Sequence, residues 1–235
     1  MVNIPLEVRD LSYSYPDGRR ALDAADFHIH PGERVALLGA NGAGKTTLVL
    51  HLNGILRPSS GTVRVAGLEV TDDNLREIRR RVGLVFQDPD DQLFMPTVRR
   101  DVAFGPANFE VGGEELDRRV RGALEAVGME DAIDRAPHHL SLGERKRVAV
   151  ATVLAMEPEI LVLDEPSSNL DPAGRRELAK MLDTLDITML LVTHDLAYAQ
   201  ALCRRVMIMN HGRIVADGPT EHVLADRPLL AKNRL

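Results

Sequence analysis

Aromatic residues are scarce in this chain, and tryptophan is absent. Only 3% of the 235 residues are Phe, Tyr or Trp. Proteins that bind single-stranded nucleic acids by base stacking need aromatic side chains on the binding surface. The formal net charge of −6 also argues against a surface that attracts a polyanion. The composition therefore predicts no nucleic-acid partner.

Cysteine is nearly absent as well. The single residue, Cys203, cannot form an internal disulfide, which fits a protein of a reducing compartment. Cys203 follows Ala-Leu and precedes Arg-Arg, where a predicted helix leads into a strand. A small buried hydrophobic side chain is the favoured interpretation there, and a reactive thiol is the alternative.

Long apolar segments are also lacking. The longest apolar run, residues 148–156, is far shorter than the ~20 residues that cross a bilayer. The first residues have neither the charged region nor the hydrophobic stretch of a signal peptide. We therefore expect a cytoplasmic protein that reaches a membrane only through a partner.

What the chain does contain is an alternation of strands and helices. Residues 1–34 predict antiparallel β structure with a turn at 16–18. Short apolar strands follow, among them 35–38 and 61–65, and helices separate them. Residues 88–140 first break this pattern with prolines and then show helical spacing, which predicts a helical insertion. Strand–helix alternation predicts an α/β domain with a mostly parallel sheet.

A glycine-rich segment follows strand 35–38 and opens a helix. From Gly39 to Thr46 it matches the phosphate-binding pattern G-x-x-x-x-G-K-[ST]. The glycines let backbone N–H groups turn inward around phosphates, and the helix N-terminus adds partial positive charge. Lys45 adds a full charge and Thr46 a hydroxyl for Mg²⁺. The segment predicts a nucleoside-triphosphate site; a chance glycine-rich turn is the alternative.

Two carboxylates end another buried strand. Residues 160–163 are apolar, and Asp164 and Glu165 follow them. The strand is expected to place both carboxylates at the C-terminal edge of the sheet, beside the phosphate-binding loop. Asp164 is predicted to hold Mg²⁺ through water, and Glu165 to act as general base or to orient the attacking water. Without the upstream loop, surface acids would be an equal alternative.

Two histidines lie on one face of the predicted strand 25–30. His28 and His30 are two residues apart, so they could form a metal pair. No third ligand is evident near them in the sequence. Solvated strand histidines are the favoured interpretation.

Together, these motifs resemble those of the nucleotide-binding subunits of ABC transporters. The similarity covers nearly the whole chain, and the motifs follow the family order. It implies a P-loop NTPase of the ABC ATPase fold, with an N-terminal antiparallel β subdomain, a mostly parallel core sheet and a helical insertion. It also implies ATP hydrolysis, with ATP and Mg²⁺ bound. The ATP-binding loop residues implied are Gly39, Asn41, Gly42, Ala43, Gly44, Lys45, Thr46 and Thr47.

The resemblance also implies roles for residues outside the loop. Tyr15 would stack on adenine, with Tyr13 as the competing aromatic. Gln87 would contact Mg²⁺ and the attacking water, and would respond to the membrane partner. His194 would touch the γ-phosphate, and Asp171 would face the site of a partner chain. The implied catalytic residues are Lys45, Gln87, Glu165 and His194.

Residues 140–144, Leu-Ser-Leu-Gly-Glu, resemble the LSGGQ signature of the same family. Ser141 and Gly143 match it, which implies contacts with the γ-phosphate of ATP bound to a second subunit. Leu142 replaces a glycine and disfavours a positive φ there. Glu144 replaces the glutamine and adds an anion near a triphosphate unless it turns away. Ser141 and Glu144 also predict a capping box at a helix start.

Several sequence segments narrow the resemblance to the ATPase subunits of energy-coupling factor transporters. They include residues 87–94, 101–106 and 146–151. Within that group the sequence most resembles those of cobalt and nickel uptake ATPases. These act on the cytoplasmic side of the membrane, usually as homodimers, on a transmembrane coupling protein and a substrate-binding membrane subunit. The resemblance implies the same partners here, with vitamin uptake as the nearest alternative.

We expect a single nucleotide-binding domain over residues 1–235. Residues 1–34 would form its antiparallel β part, residues 35–87 and 141–235 its RecA-like core, and residues 88–140 its helical subdomain. The segment 88–113 would dock a coupling helix of the membrane partner. Two other classes stay open: a soluble ABC ATPase that works on DNA or ribosomes, and a regulatory subunit that binds ATP without hydrolysing it.

Overall fold

The computed structural model describes residues 5–235, which form ten strands and nine α-helices. The strands are β1 (Leu6–Ser14), β2 (Arg20–Ile29), β3 (Arg34–Leu38), β4 (Ser60–Val65), β5 (Leu68–Glu69), β6 (Val82–Val85), β7 (Ile160–Asp164), β8 (Thr188–Thr193), β9 (Arg205–Asn210) and β10 (Arg213–Pro219). The helices are α1 (Lys45–Leu52), α2 (Leu75–Arg81), α3 (Val98–Asn108), α4 (Gly113–Ala126), α5 (Leu142–Leu154), α6 (Pro172–Thr184), α7 (Leu196–Leu202), α8 (Thr220–Ala225) and α9 (Arg227–Lys232).

Four strands form an antiparallel sheet in the order β2–β1–β4–β5. In β1 the apolar side chains of Leu6, Val8 and Leu11 are buried. The register shifts between Val8 and Leu11, where Asp10 has a φ of 49°. This irregularity returns Leu11 to the core face although its spacing from Val8 is odd.

Strand 61–65, which the sequence assigned to the core part 35–87, belongs to this antiparallel sheet. β4 pairs with β1, with Leu6 opposite Val65 and Arg9 opposite Thr62. The assignment was wrong because alternation shows which face of a strand is buried, not which strand is its neighbour. The rest of the three-part division stays a prediction, and residues 1–4 of its first part lie outside the described range.

Six strands form the second sheet, in the order β10–β9–β3–β8–β7–β6. All neighbouring pairs in it are parallel except β10 with β9. Its central strands are buried on both faces, as is usual when layers cover each side. In β3, Val35 and Leu37 pack toward the antiparallel sheet, while Ala36 and Leu38 pack toward the helices. The predicted α/β class with a mostly parallel core sheet is confirmed.

The predicted helical insertion contains α3 and α4, which pack against α5. The sequence did not predict α3, because prolines interrupt this stretch. Thr97 caps α3 by accepting a hydrogen bond from the Arg100 amide at 3.4 Å, and Pro106 lies in its last turn, where the lost N–H does not end the helix. None of the helices in residues 5–235 has the length and apolar character needed to span a membrane.

Candidate functional site

The carboxyl ends of four neighbouring parallel strands meet at one edge of the six-stranded sheet. In spatial order these strands are β3, β8, β7 and β6, and they lead to Gly39, His194, Glu165 and Gln87. Ligands of open parallel sheets bind in the crevice outside these ends. Segments that lie far apart in the sequence therefore open on one cleft, as the motif order predicted.

The loop from Gly39 to Thr46 forms one wall of this cleft, between β3 and α1. A Cβ atom at Gly39 would lie 2.5 Å from the carbonyl oxygen of Met209, and one at Gly44 would lie 2.5 Å from that of Ala21. Gly44 also has a φ of 108°, which side chains disfavour. Both positions thus require glycine for backbone reasons, independent of any ligand.

Lys45 begins α1 and is buried, with 7% of its side chain exposed. Its ammonium donates a hydrogen bond to the carbonyl of Gly39 at 2.6 Å. It also lies 3.7 Å from Oε1 of Glu165. The positive charge predicted for the loop is therefore inside it, facing the Glu165 carboxylate just after β7.

Thr46 lines the cleft, and the carboxylate of Asp164 lies behind it, within hydrogen-bond reach of the Thr46 hydroxyl. Asp164 is buried, and its Oδ1 has no hydrogen-bond partner among residues 5–235. Burial raises the pKa of Asp164, and a hydrogen bond from Thr46 opposes this. Thr46 itself is exposed. An unpartnered buried carboxylate oxygen next to an open hydroxyl fits a hard divalent cation such as Mg²⁺.

Glu165 occupies an unusual backbone conformation at the end of β7. Its φ is 46°, in the left-handed region that non-glycine residues rarely adopt. Oε2 accepts a hydrogen bond from the hydroxyl of Thr193 at 3.1 Å. Nδ1 of His194 lies 2.9 and 3.0 Å from the two carboxylate oxygens. Two consecutive residues of one strand end thus fix the orientation of this carboxylate.

Tyr15 lies at the other side of the loop, and its hydroxyl is 2.9 Å from Oγ1 of Thr47. The Arg19 guanidinium lies over the Tyr15 ring, 4.8 Å from its centroid. Tyr13, the competing aromatic, packs edge-on against Tyr15 and His51 and, half-buried, packs against the core. Of the two tyrosines, only Tyr15 lines the cleft in the described structure.

The cleft has a volume of about 200 Å³. Besides the loop, Tyr15, Gln87 and Glu165 line it. The sequence did not identify Arg19 or Thr193 as site residues. Thr193 could have been identified from the sequence, since it is the polar residue before His194 at the end of an apolar strand. Nothing in the turn before Arg19 pointed to that residue.

The signature segment begins α5 with a capping box. The Glu144 amide donates to Oγ of Ser141 at 3.3 Å, and the Ser141 amide donates to Oε2 of Glu144 at 2.7 Å. The bond from the Ser141 amide holds the pKa of Glu144 below its usual range. The carboxylate of Glu144 is therefore turned back onto Ser141, and Arg135 lies 3.6 Å from it.

Leu142 and Gly143 form the first turn of this helix, and Leu142 has no positive φ. First-turn amides lack acceptors inside a helix, so they are available to an anion. With Asp171, which caps α6 by accepting from the Gly174 amide at 2.8 Å, they line a second cavity of about 470 Å³. Ser141, Gly143 and Asp171 thus share one surface, separate from the cleft of the P-loop.

The remaining candidates lie elsewhere. His28 and His30 contact each other edge-on, with ring centroids 4.8 Å apart. Within residues 5–235 no group of three or more His, Cys, Asp or Glu side chains is arranged to hold a metal ion. Cys203 is buried, and burial raises the pKa of its thiol to about 12.

Comparisons with known proteins support the resemblance to the nucleotide-binding subunits of ABC transporters. The sequence model of the ABC transporter family matches residues 22–168. A putative ABC transporter ATP-binding protein of Streptomyces coelicolor is 66% identical over 230 residues, which cover 98% of this chain and 88% of that protein. The energy-coupling factor transporter ATP-binding protein EcfA of Carboxydothermus hydrogenoformans is 49% identical over 237 residues, covering 100% and 87%.

A solved structure supports the same family. The structure of cbiO1 from Clostridium perfringens, described as part of the ABC transporter complex cbiONQ, has a TM-score of 0.87 at 40% identity and covers 98% of this chain and 94% of its own. The predicted family, fold and ATPase activity are thereby confirmed, while the roles of single residues stay predictions. The chain belongs to the ABC transporter family, as an ATP-binding and ATP-hydrolysing subunit that resembles those of the energy-coupling factor type.

Proposed function

We propose that this ATPase powers the uptake of cobalt or nickel ions through an energy-coupling factor transporter. The observation that carries the ATPase part is the Glu165 carboxylate, oriented by Thr193 and His194 and 3.7 Å from the ammonium of Lys45. The cargo rests on a different support, which is the similarity of residues 87–94, 101–106 and 146–151 to cobalt and nickel uptake ATPases.

The P-loop residues Gly39 to Thr47 bind the phosphates of ATP, with Lys45 supplying charge and the start of α1 supplying amides. Tyr15 stacks on adenine once the Arg19 guanidinium has moved off its ring. Glu165 accepts the proton of the attacking water or orients that water. Gln87 faces the same water from the end of β6, and His194 reaches the γ-phosphate.

Mg²⁺ is held by Thr46, Gln87 and Asp164. The support is the unpartnered, buried Oδ1 of Asp164 beside the exposed hydroxyl of Thr46. When bound, the ion neutralises charge on the β- and γ-phosphates. Oxygen ligands alone, in a cleft open to water, suit this ion, which keeps part of its hydration shell.

A second copy of the chain completes each site. Ser141 and Gly143 contact the γ-phosphate of ATP bound in the P-loop cleft of the partner, with Asp171 beside them. Their support is the shared surface that they form at a helix start, apart from the cleft of their own chain. ATP then joins two subunits, and hydrolysis releases them.

The membrane partners are a transmembrane coupling protein and a substrate-binding subunit, approached from the cytoplasmic side. The segment 88–113 docks the coupling protein. Phe94 and Phe104 support this, since they are 61% and 42% exposed and form an edge-to-face pair with centroids 5.0 Å apart. Buried Asp101 holds Phe94 in place by accepting from the amides of Phe94 and Met95, both at 3.0 Å.

Phosphate release by the purified protein tests the catalytic part. We expect Lys45→Ala to lose ATP binding, and Glu165→Gln to keep binding but lose turnover and form an ATP-bound dimer by light scattering. Turnover unchanged by both substitutions would contradict the assignment, and a Glu165→Gln protein that stays monomeric in saturating ATP would contradict the shared site. The cargo is tested by co-expressing this chain with the membrane proteins that co-purify with it. Uptake of radioactive ⁵⁷Co²⁺ and ⁶³Ni²⁺ by those cells is then measured.

A further inference from the structure

One buried charge of the site region has no part in the function proposed so far. Lys146 lies in the second turn of α5, two residues after Glu144, and is 5% exposed. Its ammonium donates to the carbonyl of Gln87 at 3.2 Å, to the carbonyl of Glu165 at 3.4 Å and to the hydroxyl of Ser168 at 3.1 Å. All three acceptors are neutral oxygens.

These acceptors come from three separate segments around the cleft. Gln87 follows β6, Glu165 follows β7, and Ser168 lies in the loop that leads to Asp171. Lys146 itself belongs to the helix whose first turn carries Ser141 and Gly143. One side chain therefore joins the surface that faces the second subunit to the two residues that face the attacking water.

Burying an ammonium group is unfavourable unless its hydrogen bonds are satisfied. Burial lowers the pKa of Lys146 to about 8, against the attraction of Asp88 and Glu165. An apolar side chain of the same length would avoid this penalty. This buried charge is thus better explained by the groups that it positions than by a gain in stability.

The Lys146 ammonium contacts the strained backbone of Glu165. With a φ of 46°, this residue turns its carbonyl out of the strand, where the Ser168 amide donates to it at 3.1 Å and Lys146 donates as well. Left-handed backbone in a non-glycine residue is sterically unfavourable and persists only when neighbours enforce it. The ammonium is one of these neighbours.

Other contacts between α5 and the segment after β6 do not reach Glu165. Gln92 donates to the Ala149 carbonyl at 2.8 Å and to the Thr152 hydroxyl at 2.7 Å, and Arg145 pairs with Asp90. These bonds would hold the helix against that segment without Lys146. Loss of the ammonium should therefore disturb the catalytic backbone more than the packing of α5.

We infer that Lys146 is a positioning residue for ATP hydrolysis: its ammonium fixes the backbones of Gln87 and Glu165 relative to the signature helix of the same chain. The inference rests on the catalytic roles proposed above for Gln87 and Glu165. Lys146 does not line the P-loop cleft, and it acts through two residues that do.

Lys146→Met tests this, because Met keeps the apolar length and removes the donors. We expect kcat for phosphate release to fall ~10- to 100-fold, the range for a misplaced catalytic group. KM for ATP and the Kd of a fluorescent ATP analogue should change less than ~3-fold, since the P-loop is untouched. Lys146→Gln, whose amide offers two N–H donors, should recover part of kcat. Lys180→Met on the exposed side of α6 is the matched control and should match the wild type.

Three results would overturn the inference. In the first, Lys146→Met keeps kcat within twofold of the wild type. In the second, Lys146→Met loses ATP binding and thermal stability together with kcat. In the third, Lys146→Gln recovers the melting temperature but none of kcat. Glu165→Gln is run in parallel: full turnover in that variant would refute the proposed catalytic site itself, whereas an inactive Glu165→Gln beside a fully active Lys146→Met would refute only the role of Lys146.

Discussion

Nδ1 of His194 contacts both carboxylate oxygens of Glu165, at 2.9 and 3.0 Å. The two residues differ sharply in exposure, since 61% of the His194 side chain and 10% of the Glu165 side chain are accessible. The imidazole therefore covers a buried carboxylate from the solvent side. Any change at residue 194 alters both the orientation and the hydration of Glu165.

We expect His194→Ala to lower kcat by ~10²-fold or more, as the loss of a group that assists proton transfer does. ATP binding should persist, because the P-loop does not depend on His194. Phosphate release and fluorescent-nucleotide titration measure the two effects separately. His222→Ala, at an exposed position on α8, serves as the control. Equal kcat in both variants would contradict the role of His194.

Glu144 is expected to support the helix start rather than catalysis. Glu144→Ala removes the side-chain bond from Glu144 to the Ser141 amide and should lower the free energy of unfolding by about 0.3–1.5 kcal/mol, while Glu144→Gln keeps an acceptor for that amide. Glu125→Ala on the exposed side of α4 controls for the loss of a surface charge. Urea unfolding at neutral pH ranks the three; a Glu144→Ala protein as stable as Glu125→Ala would contradict the capping role.

The hydrogen bond between Glu144 and the Ser141 amide should make the stability of the fold depend on pH, with a sign that follows from the pKa shift. The pKa of Glu144 is lowered from its usual 4.5 in the folded chain, first by the Ser141 amide. A carboxylate of lowered pKa stabilises the fold above its unfolded pKa, and this is lost as the pH falls through the folded pKa. Any excess stability of the wild type over Glu144→Gln should therefore shrink as the pH falls below about 4.5 and vanish once the pH is below the lowered folded pKa. An excess that grows on acidification would contradict this.

Phe94 is expected to matter only when the membrane partner is present. Phe94→Ser should leave phosphate release of the isolated protein unchanged, and should lower the affinity for the coupling protein by about 2 kcal/mol if the ring is a central anchor. Recovery of the complex after co-expression measures this. Ile55→Ser removes a comparably exposed apolar side chain, 49% accessible, outside the 88–113 segment. Equal loss of the complex in both variants would argue against docking there.

Cys203 is expected to report unfolding. Burial raises the pKa of its thiol to about 12, so at pH 8 only about 10⁻⁴ of it is thiolate, the reactive form. Maleimide labelling of the folded protein should therefore be slow, and labelling in urea fast and stoichiometric. Because Cys203 is the sole cysteine, mass spectrometry reads one site. Rapid labelling of the native protein would contradict the buried position.

The sequence could predict the cleft because its parts follow buried strands. Once Gly39, Glu165, Gln87 and His194 are each placed after an apolar strand of a parallel sheet, their proximity follows from geometry. The capping box of Ser141 was predictable for a similar reason, since it depends on residues only three apart.

Long-range partners were not predictable in this way. Nothing in the sequence around Lys146 indicates that Gln87 and Glu165 converge on its ammonium. β4 was assigned to the wrong sheet because its partner, β1, lies more than 45 residues away. α3 was missed because Pro106 suggests a break, although the helix continues for two residues beyond it.

The left-handed backbone of Glu165 sets folding and hydrolysis against each other at one residue. Glycine would adopt a φ of 46° at no steric cost, and so would relieve this part of the strand end. It would also remove the carboxylate on which turnover is proposed to depend. Residue 165 is therefore a position where a more stable variant and an active one call for different side chains, a trade-off between stability and activity within a single backbone turn.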